Sequence, residues 1–268
     1  MSDTPLPLHD LCLPLNHCNL PGWLIASLTF QQHPSPLTLD SVALFHRDLW
    51  PRLDALSTPS ERARCFDDYM AVHFRLPGHD LTPWPAVEPI PRPHRHYRRL
   101  LLGWMFDSDS EDGAAWRGWV ESRFGLRTGY HAGLLGDPRD NEDDIALGQY
   151  RRAWQRATWQ THELSRQLDL LYSFCQYELR RRYPDQQHLP LYRGSQQPLP
   201  RGDSTCLFNN LGSCTAEVEE AYRFGGRVCA VLVPLSKIVC FDTLLPGSLG
   251  GEAEYMVLGG WYRVTRVW

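Results

Sequence analysis

Two glutamates, Glu252 and Glu254, alternate at the point where a glycine-rich turn becomes an apolar run. Residues two apart in a strand point to the same face, so a strand here would project both carboxylates from one edge of a sheet. Neighbouring carboxylates repel each other, and their protonation then diverges, which lets an active site divide its catalytic roles. The alternative is an exposed edge strand that carries two solvated charges.

Two upstream segments carry further candidate residues. Arg193 and Gly194 end an apolar segment. An arginine there can form paired hydrogen bonds to phosphate oxygens, and the glycine lets a ligand approach the backbone. Ser213 and Thr215 lie where a predicted strand leads into a predicted helix, and they offer neutral hydroxyls on one side. Each feature alone has a simpler interpretation, since the arginine can be a surface charge and the hydroxyls can be helix caps.

Composition limits the class of protein that these residues serve. The chain has 268 residues, of which 43% are hydrophobic and 22% are charged, as in an ordinary globular protein. Its net charge is -4 and Lys237 is its only lysine, so there is no broad cationic field for nucleic acid. No stretch reaches the ~20 apolar residues of a membrane span, and the N-terminus does not resemble a signal peptide.

These features predict a cytoplasmic protein with no membrane span and no nucleic-acid partner. The eight cysteines are then expected to be reduced thiols. They form no Cys-x-x-Cys pair, so no metal site is predicted.

Hydrophobic periodicity changes near residue 185. Before it, apolar residues recur at steps of three and four, most regularly over 145–182, which predicts helices. After it, short segments rich in Val, Tyr, Cys and Leu are separated by Gly, Pro and Ser turns. The predicted strands are Leu189–Gly194, Cys206–Asn210, Arg227–Leu235, Lys237–Phe241, Ala253–Leu258 and Trp261–Trp268.

One helix is predicted among these strands, over Thr215–Phe224, with Thr215 as its N-cap. Helices followed by strands, without alternation, predict an α+β fold. We expect a mainly helical region over 1–185 and a β-rich region over 186–268, integrated into one domain.

The order of the candidate residues resembles that of a known enzyme class. Arg193 precedes Ser213 by 20 residues, and Ser213 precedes Glu254 by 41. This order is similar to that of the R-S-E mono-ADP-ribosyltransferases, and the resemblance implies a split sheet or sandwich for the β-rich region. The usual Ser-Thr-Ser centre of the class has Cys214 in its middle place, where we expect inert packing.

Segments in the helical region resemble one family within this class, the NAD+–dinitrogenase-reductase ADP-ribosyltransferases of nitrogen-fixing bacteria. The segments that carry this resemblance are Asn19–Pro21, Ser27–Gln31, Arg99–Trp104 and Gly118–Leu126. The resemblance implies that NAD+ is the co-substrate and that one arginine of dinitrogenase reductase receives ADP-ribose, which inactivates that protein and releases nicotinamide. It also implies a P-II-type nitrogen-regulatory protein as an activator.

The resemblance assigns roles to individual residues. It implies that Glu254, Glu252 and Ser213 are catalytic and that NAD+ is bound by Arg193, Gly194, Ser213, Thr215 and Asn210. Glu254 is expected to serve the oxocarbenium-like ribose, and Glu252 the acceptor guanidinium.

Two alternatives to this function stay open. An NAD+ glycohydrolase would need only Arg193, Ser213 and Glu254, and a non-catalytic regulatory adaptor would need none of them. The helical region is expected to supply a recognition surface, and its tryptophans 104, 116, 119, 154 and 159 serve either the core, which is the default, or docking.

Overall fold

The structure is a computed structural model that describes residues 8, 10–76, 96–135, 145–158, 162–195, 203–245 and 253–267. Its helices are α1 (Gly22–Ile25), α2 (Leu28–Gln32), α3 (Val42–Phe45), α4 (Leu49–Asp54), α5 (Pro59–His73), α6 (Tyr97–Phe106), α7 (Glu111–Phe124), α8 (Ile145–Thr158), α9 (His162–Arg182) and α10 (Val218–Phe224). Its strands are β1 (His188–Ser195), β2 (Asp203–Thr215), β3 (Arg227–Pro234), β4 (Ile238–Phe241) and β5 (Glu254–Val267). A 3₁₀ helix, Leu235–Lys237, precedes β4. Helices fill the first two-thirds and an antiparallel sheet follows, which confirms the α+β prediction.

The helices α6 and α7 both lie close to candidate residues of the sheet. The hydroxyl of Ser110 accepts the Gly113 N–H at the start of α7, and Gly125 ends it with a φ of 69°, a left-handed conformation that suits glycine. The indole N–H of Trp116 donates to the carbonyl oxygen of Leu100 at 3.1 Å. This bond joins α7 to α6 and fixes the relative position of the two helices.

The sheet is antiparallel and has the strand order β2-β1-β3-β5-β4, with a further pairing of β2 with β5. Along one side β5 pairs with β2, and on its other side β4 and β3 pair with opposite ends of β5. The strand β1 pairs with β3 and also meets β2, where Tyr192 lies opposite Thr215. These pairings bring the ends of β1, β2 and β5 that carry Arg193, Ser213 and Glu254 into one neighbourhood.

Several predicted boundaries in the sheet were wrong; the predicted strand Cys206–Asn210, for example, is only part of β2, Asp203–Thr215. Two other errors have a clear physical reason. The predicted strands Ala253–Leu258 and Trp261–Trp268 form one continuous strand, because glycines at the predicted break permit close approach rather than a turn. A methyl group at Gly259 would lie 1.9 Å from the Asn209 carbonyl oxygen, and Gly260 has a φ of 113° against the backbone of Ala26.

The second of these errors is the start of the predicted helix over Thr215–Phe224. Thr215 is the last residue of β2, because it pairs with β5, and α10 begins at Val218 with Glu217 at its N-cap. The predicted helix over 145–182 is observed as α8 and α9, and residues 159–161 between them lie outside the described residues.

The helical region packs directly on the sheet. One cluster of buried apolar residues contains Trp116 and Phe174 from the helices together with Val239 and Leu258 from the strands. The Gln31 side-chain amide donates to the carbonyls of Leu232 and Arg263 at 3.0 and 3.1 Å, which ties α2 to β3 and β5. Burial in a shared core and these bonds hold the helices against the strands that carry the candidate residues.

Two further predictions bear on the class of protein. All eight cysteines are free thiols. Among the residues that the structure describes, no helix has the length and apolar character needed to cross a membrane.

Candidate active site

The register of β2 against β5 brings Ser213 to Glu254. Thr215 lies directly opposite Glu254 in the ladder, and Ser213 is two residues before Thr215 on the same face. The Ser213 hydroxyl donates a hydrogen bond to Oε1 of Glu254. Glu254 is only 7% exposed, so the protein holds this carboxylate in a largely dehydrated place where each donor matters more than it would in water.

Trp104 of α6 is a third member of this group. Its indole Nε1 lies 3.1 Å from Ser213 Oγ and 3.1 Å from Glu254 Oε1, so one N–H is shared between the two oxygens. An indole N–H can only donate, and donors favour the charged form of a carboxylate. The three side chains therefore form a connected polar group at the junction of the helical region and the sheet.

Sequence reasoning did not predict this polar role for Trp104. The default prediction of a core position is confirmed for Trp104, Trp116 and Trp119, which are 3%, 0% and 3% exposed. The sequence feature that could have indicated this role is the position of Trp104 at the end of Arg99–Trp104, one of the segments that carry the family resemblance. Trp159 lies outside the described residues.

Arg193 reaches Ser213 through the main chain. Its Nη1 donates to the Ser213 carbonyl oxygen at 2.8 Å, and its guanidinium lies 4.9 Å from the centre of the Phe208 ring. A methyl group at Gly212 would lie 2.5 Å from this Nη1, and the charge of Arg193 lowers the pKa of the Cys214 thiol, against the larger effect of burial. Arg193 therefore lies on the face of β2 that carries Gly212 and Cys214, whereas the Ser213 hydroxyl and Glu254 lie on the other face.

A second arginine, Arg117 of α7, borders the group from the helical side. Its guanidinium lies 5.2 Å from the centre of the Trp104 ring, and the side chain is 4% exposed. It forms an ion pair with Asp109 at 3.0 Å and donates to Nδ1 of His131 at 2.7 Å. Burial lowers the pKa of Arg117, and the positive charge of Arg193 lowers it further, while Asp109 opposes both effects. Arg117 thus covers the Trp104 ring from the helical side, and its charge lies close enough to Arg193 for the two cations to repel each other.

Cys214, between the two hydroxyl residues, is buried in the sheet. Burial raises the pKa of its thiol to about 11, although Arg193 acts in the opposite direction. A thiol with such a pKa is protonated at neutral pH and is a poor nucleophile. Its contacts and its burial support the inert packing role that the sequence predicted.

The remaining predicted residues occupy different surroundings. A methyl group at Gly194 would lie 2.0 Å from the Ala221 carbonyl oxygen, so this glycine lets α10 pack on β1. The Thr215 hydroxyl accepts the Glu217 N–H at 3.1 Å. Glu252 lies outside the described residues.

Asn210 lies in a bulge of β2 and is 2% exposed. Its side-chain amide donates to the carbonyls of Arg117 and Leu126 at 3.0 and 3.1 Å. These contacts attach β2 to the middle of α7 and to the segment that follows it, and they do not involve Ser213 or Glu254. The structure thus joins Ser213 and Glu254 directly, joins Arg193 to them through the main chain, and places Asn210 at a separate structural contact.

Comparison with known proteins identifies similar sequences over nearly the whole chain. The family described as dinitrogenase reductase ADP-ribosyltransferase matches residues 15–266. A relative from Rhodospirillum rubrum, named NAD(+)--dinitrogen-reductase ADP-D-ribosyltransferase, is 34% identical over 260 residues, which cover 93% of this chain and 93% of the relative. No solved structure matches the chain significantly. The similarity covers the helical region as well as the sheet.

Proposed function

We propose that this chain, which belongs to the dinitrogenase reductase ADP-ribosyltransferase family, transfers ADP-ribose from NAD+ to one arginine of dinitrogenase reductase, releases nicotinamide and inactivates its target. The observation that carries this proposal is the buried carboxylate of Glu254 with the donors Ser213 and Trp104 on its Oε1. Such a carboxylate is suited to a reaction that develops positive charge on a sugar.

The chemistry of the transfer explains why a carboxylate is needed. The bond between the ribose anomeric carbon and the nicotinamide nitrogen breaks, and its electron pair leaves with nicotinamide, which departs as a neutral base. An oxocarbenium-like ribose is left behind, and a nearby negative charge lowers its free energy. In our proposal Glu254 provides this charge and a hydrogen bond to a ribose hydroxyl, while Ser213 helps to hold the carboxylate and the ribose.

Glu252 has a separate role in this proposal. A protonated guanidinium has no free lone pair, so the acceptor arginine must lose a proton as its nitrogen bonds to the anomeric carbon. We assign this proton to Glu252, whose carboxylate would also bind the guanidinium in a bidentate manner. The support is its place in the sequence, two residues before Glu254, which is the first residue of β5.

The guanidinium of Arg193 is proposed to bind the phosphate or ribose side of NAD+. The half-buried guanidinium of Arg193 supports this role, because an arginine can form paired hydrogen bonds to phosphate oxygens. The Gly194 backbone is proposed to lie against the nicotinamide amide. Thr215 remains a proposed NAD+ contact beside Ser213. For Asn210 the observed contacts support a structural role instead.

The helical region is proposed to supply the surface that receives dinitrogenase reductase and a P-II-type regulator. The contact of Trp104 with Glu254 supports this, because it shows that α6 borders the proposed reaction centre. Crosslinking of the complexes followed by mass spectrometry would check it. Contacts confined to residues 186–268 would contradict this role.

Incubation with labelled NAD+ and dinitrogenase reductase, oxidised or reduced, tests the function. We expect one modified arginine, nicotinamide released in equal amount, and loss of the target's activity, with Glu254→Gln as the inactive control. NAD+ hydrolysis without transfer would instead indicate the glycohydrolase alternative. Absence of NAD+ binding by calorimetry would indicate the adaptor.

A further inference from the structure

We infer that Trp104 is a positioning residue for the transfer reaction, whose indole N–H orients both the Glu254 carboxylate and the Ser213 hydroxyl. This inference rests on the proposed role of Glu254. It makes α6, an element of the helical region, a working part of the active site. The sheet alone would then be an incomplete catalytic unit.

The hydrogen-bond arrangement supports this inference. Trp104 Nε1 donates to Ser213 Oγ and to Glu254 Oε1, both at 3.1 Å. Because the indole proton lies against the serine oxygen, the hydroxyl proton of Ser213 is directed away from it and toward Glu254. Two donors on Oε1 restrict rotation of the Glu254 carboxylate. The carboxylate would then keep one orientation toward the ribose.

The position of the indole is itself fixed by neighbouring elements. The Arg117 guanidinium covers the Trp104 ring at 5.2 Å. The neighbouring Gly103 leaves no room for a side chain, since an added methyl group would lie 2.3 Å from an Asp112 carboxylate oxygen. With the bond from Trp116 to Leu100, these contacts hold α6 against α7. A phenylalanine at 104 would keep an aromatic ring under Arg117 and would lose only the N–H donor.

This arrangement predicts the effect of Trp104→Phe. We expect kcat for transfer to fall roughly 10- to 100-fold, less than the loss on removal of a donor that touches the reacting oxygen. KM for NAD+ should change little, and NAD+ hydrolysis without acceptor should fall by the same factor, since both reactions share the ribose step. The acidic limb of the kcat/KM profile should move to higher pH, because loss of a donor makes the charged carboxylate less favourable.

The chain offers a matched control in Trp119→Phe. Trp119 is also buried, at 3% exposed, and its indole N–H also donates to a carboxylate oxygen, at 2.8 Å, but that carboxylate belongs to Asp169 of α9 rather than to the site. Both variants and Glu254→Gln should be compared in the full-length protein, with circular dichroism and thermal unfolding to check the fold. A fall in kcat and a shifted acidic limb in Trp104→Phe, both absent from Trp119→Phe, would support the inference.

The same experiment separates failure of the inference from failure of the proposed function. An active Glu254→Gln enzyme would overturn the role of Glu254 and the inference with it. An inactive Glu254→Gln enzyme beside a Trp104→Phe enzyme that matches Trp119→Phe in kcat and pH profile would overturn the inference alone. If Trp104→Phe does not fold, benzothienylalanine at 104 replaces the N–H with sulfur at nearly constant shape, and the same outcomes apply.

Discussion

Thr215 and Glu254 lie directly opposite each other across the ladder of β2 and β5. This pairing decides that Ser213, two residues earlier, reaches the Glu254 carboxylate with its hydroxyl. A shift of one residue in register would turn Glu254 to the other face of the sheet. The catalytic proposal therefore depends on strand register, and changes to the residues around this pair give direct tests.

The first prediction separates the roles of the two glutamates. Glu254→Gln removes the negative charge beside the ribose, so both ADP-ribosyl transfer and NAD+ hydrolysis should be lost. Glu252→Gln removes only the proposed proton acceptor for the incoming arginine, so transfer should be lost while measurable hydrolysis remains. Assays of labelled ADP-ribose incorporation and of nicotinamide release measure the two activities. Equal loss of both activities in the two variants would contradict the division of roles.

The second prediction concerns the hydroxyl of Ser213. Ser213→Ala removes a hydrogen-bond donor from Glu254 Oε1, so kcat should fall about 10- to 100-fold. Steady-state kinetics of nicotinamide release would measure this. Ser173→Ala is the control, because Ser173 donates to the Asp169 carbonyl within α9. A Ser213→Ala enzyme as active as the control would exclude the hydroxyl from the reaction.

The third prediction uses the space that Arg193 occupies. A methyl group at Gly212 would lie 2.5 Å from Arg193 Nη1, which is the movable end of a side chain. Gly212→Ala should therefore displace the guanidinium from the Ser213 carbonyl while changing the free energy of unfolding by only about 1 kcal/mol. If Arg193 steadies NAD+, KM for NAD+ should rise about tenfold, which corresponds to ~1.4 kcal/mol of binding free energy.

Substitutions at two other glycines provide comparisons for the Gly212→Ala variant. Gly226 has open space where a side chain would begin, so Gly226→Ala should leave KM unchanged. At Gly259 the clash is with the Asn209 backbone, so Gly259→Ala should lower stability by several kcal/mol, on the order of the overpacking cost in a core. An unchanged KM in a folded Gly212→Ala enzyme would count against the proposed role of Arg193.

The fourth prediction concerns the pH dependence of stability. Lys237 is fully buried, its Nζ donates to the Ile25 carbonyl at 3.0 Å, and it lies 4.3 Å from the centre of the Tyr262 ring. Burial lowers the pKa of Lys237 to about 7, which the Cys12 thiol only partly opposes. The unfolded chain keeps this lysine protonated up to about pH 10. Burying the ammonium therefore lowers stability below pH 7, and this penalty is relieved as pH rises above 7.

We expect the free energy of unfolding to rise with pH in the wild type relative to Lys237→Met, by at most about 1.4 kcal/mol per pH unit between about pH 7 and pH 9. Urea denaturation at several pH values measures both proteins. The difference between the curves isolates the charge of Lys237 together with its coupling to the nearby Cys12. Parallel curves would show that Lys237 keeps its proton throughout this range.

The sequence by itself determined the fold class and the identity of the residues to examine. The change from helical to strand periodicity near residue 185 depends on local side-chain patterns, so it is readable without the fold. The order of Arg193, Ser213 and Glu254 is likewise a property of the sequence. The role of Gly259 and Gly260 inside β5 could not be predicted from the sequence. A glycine that ends a strand cannot be distinguished in sequence from one that allows close approach of a neighbouring backbone.

Only the tertiary structure decided which of these residues touch. The pairing of Thr215 with Glu254 joins segments far apart in the chain, and no local pattern encodes its register. The same holds for Trp104, whose apolar surroundings predict a core residue, whereas its N–H is directed at Glu254 by the packing of α6 on the sheet. Arg193 and Ser213 are neighbours in space, yet strand alternation puts their side chains on opposite faces of β2. The sequence determines which functional groups are present, but tertiary packing determines the direction in which each side chain points.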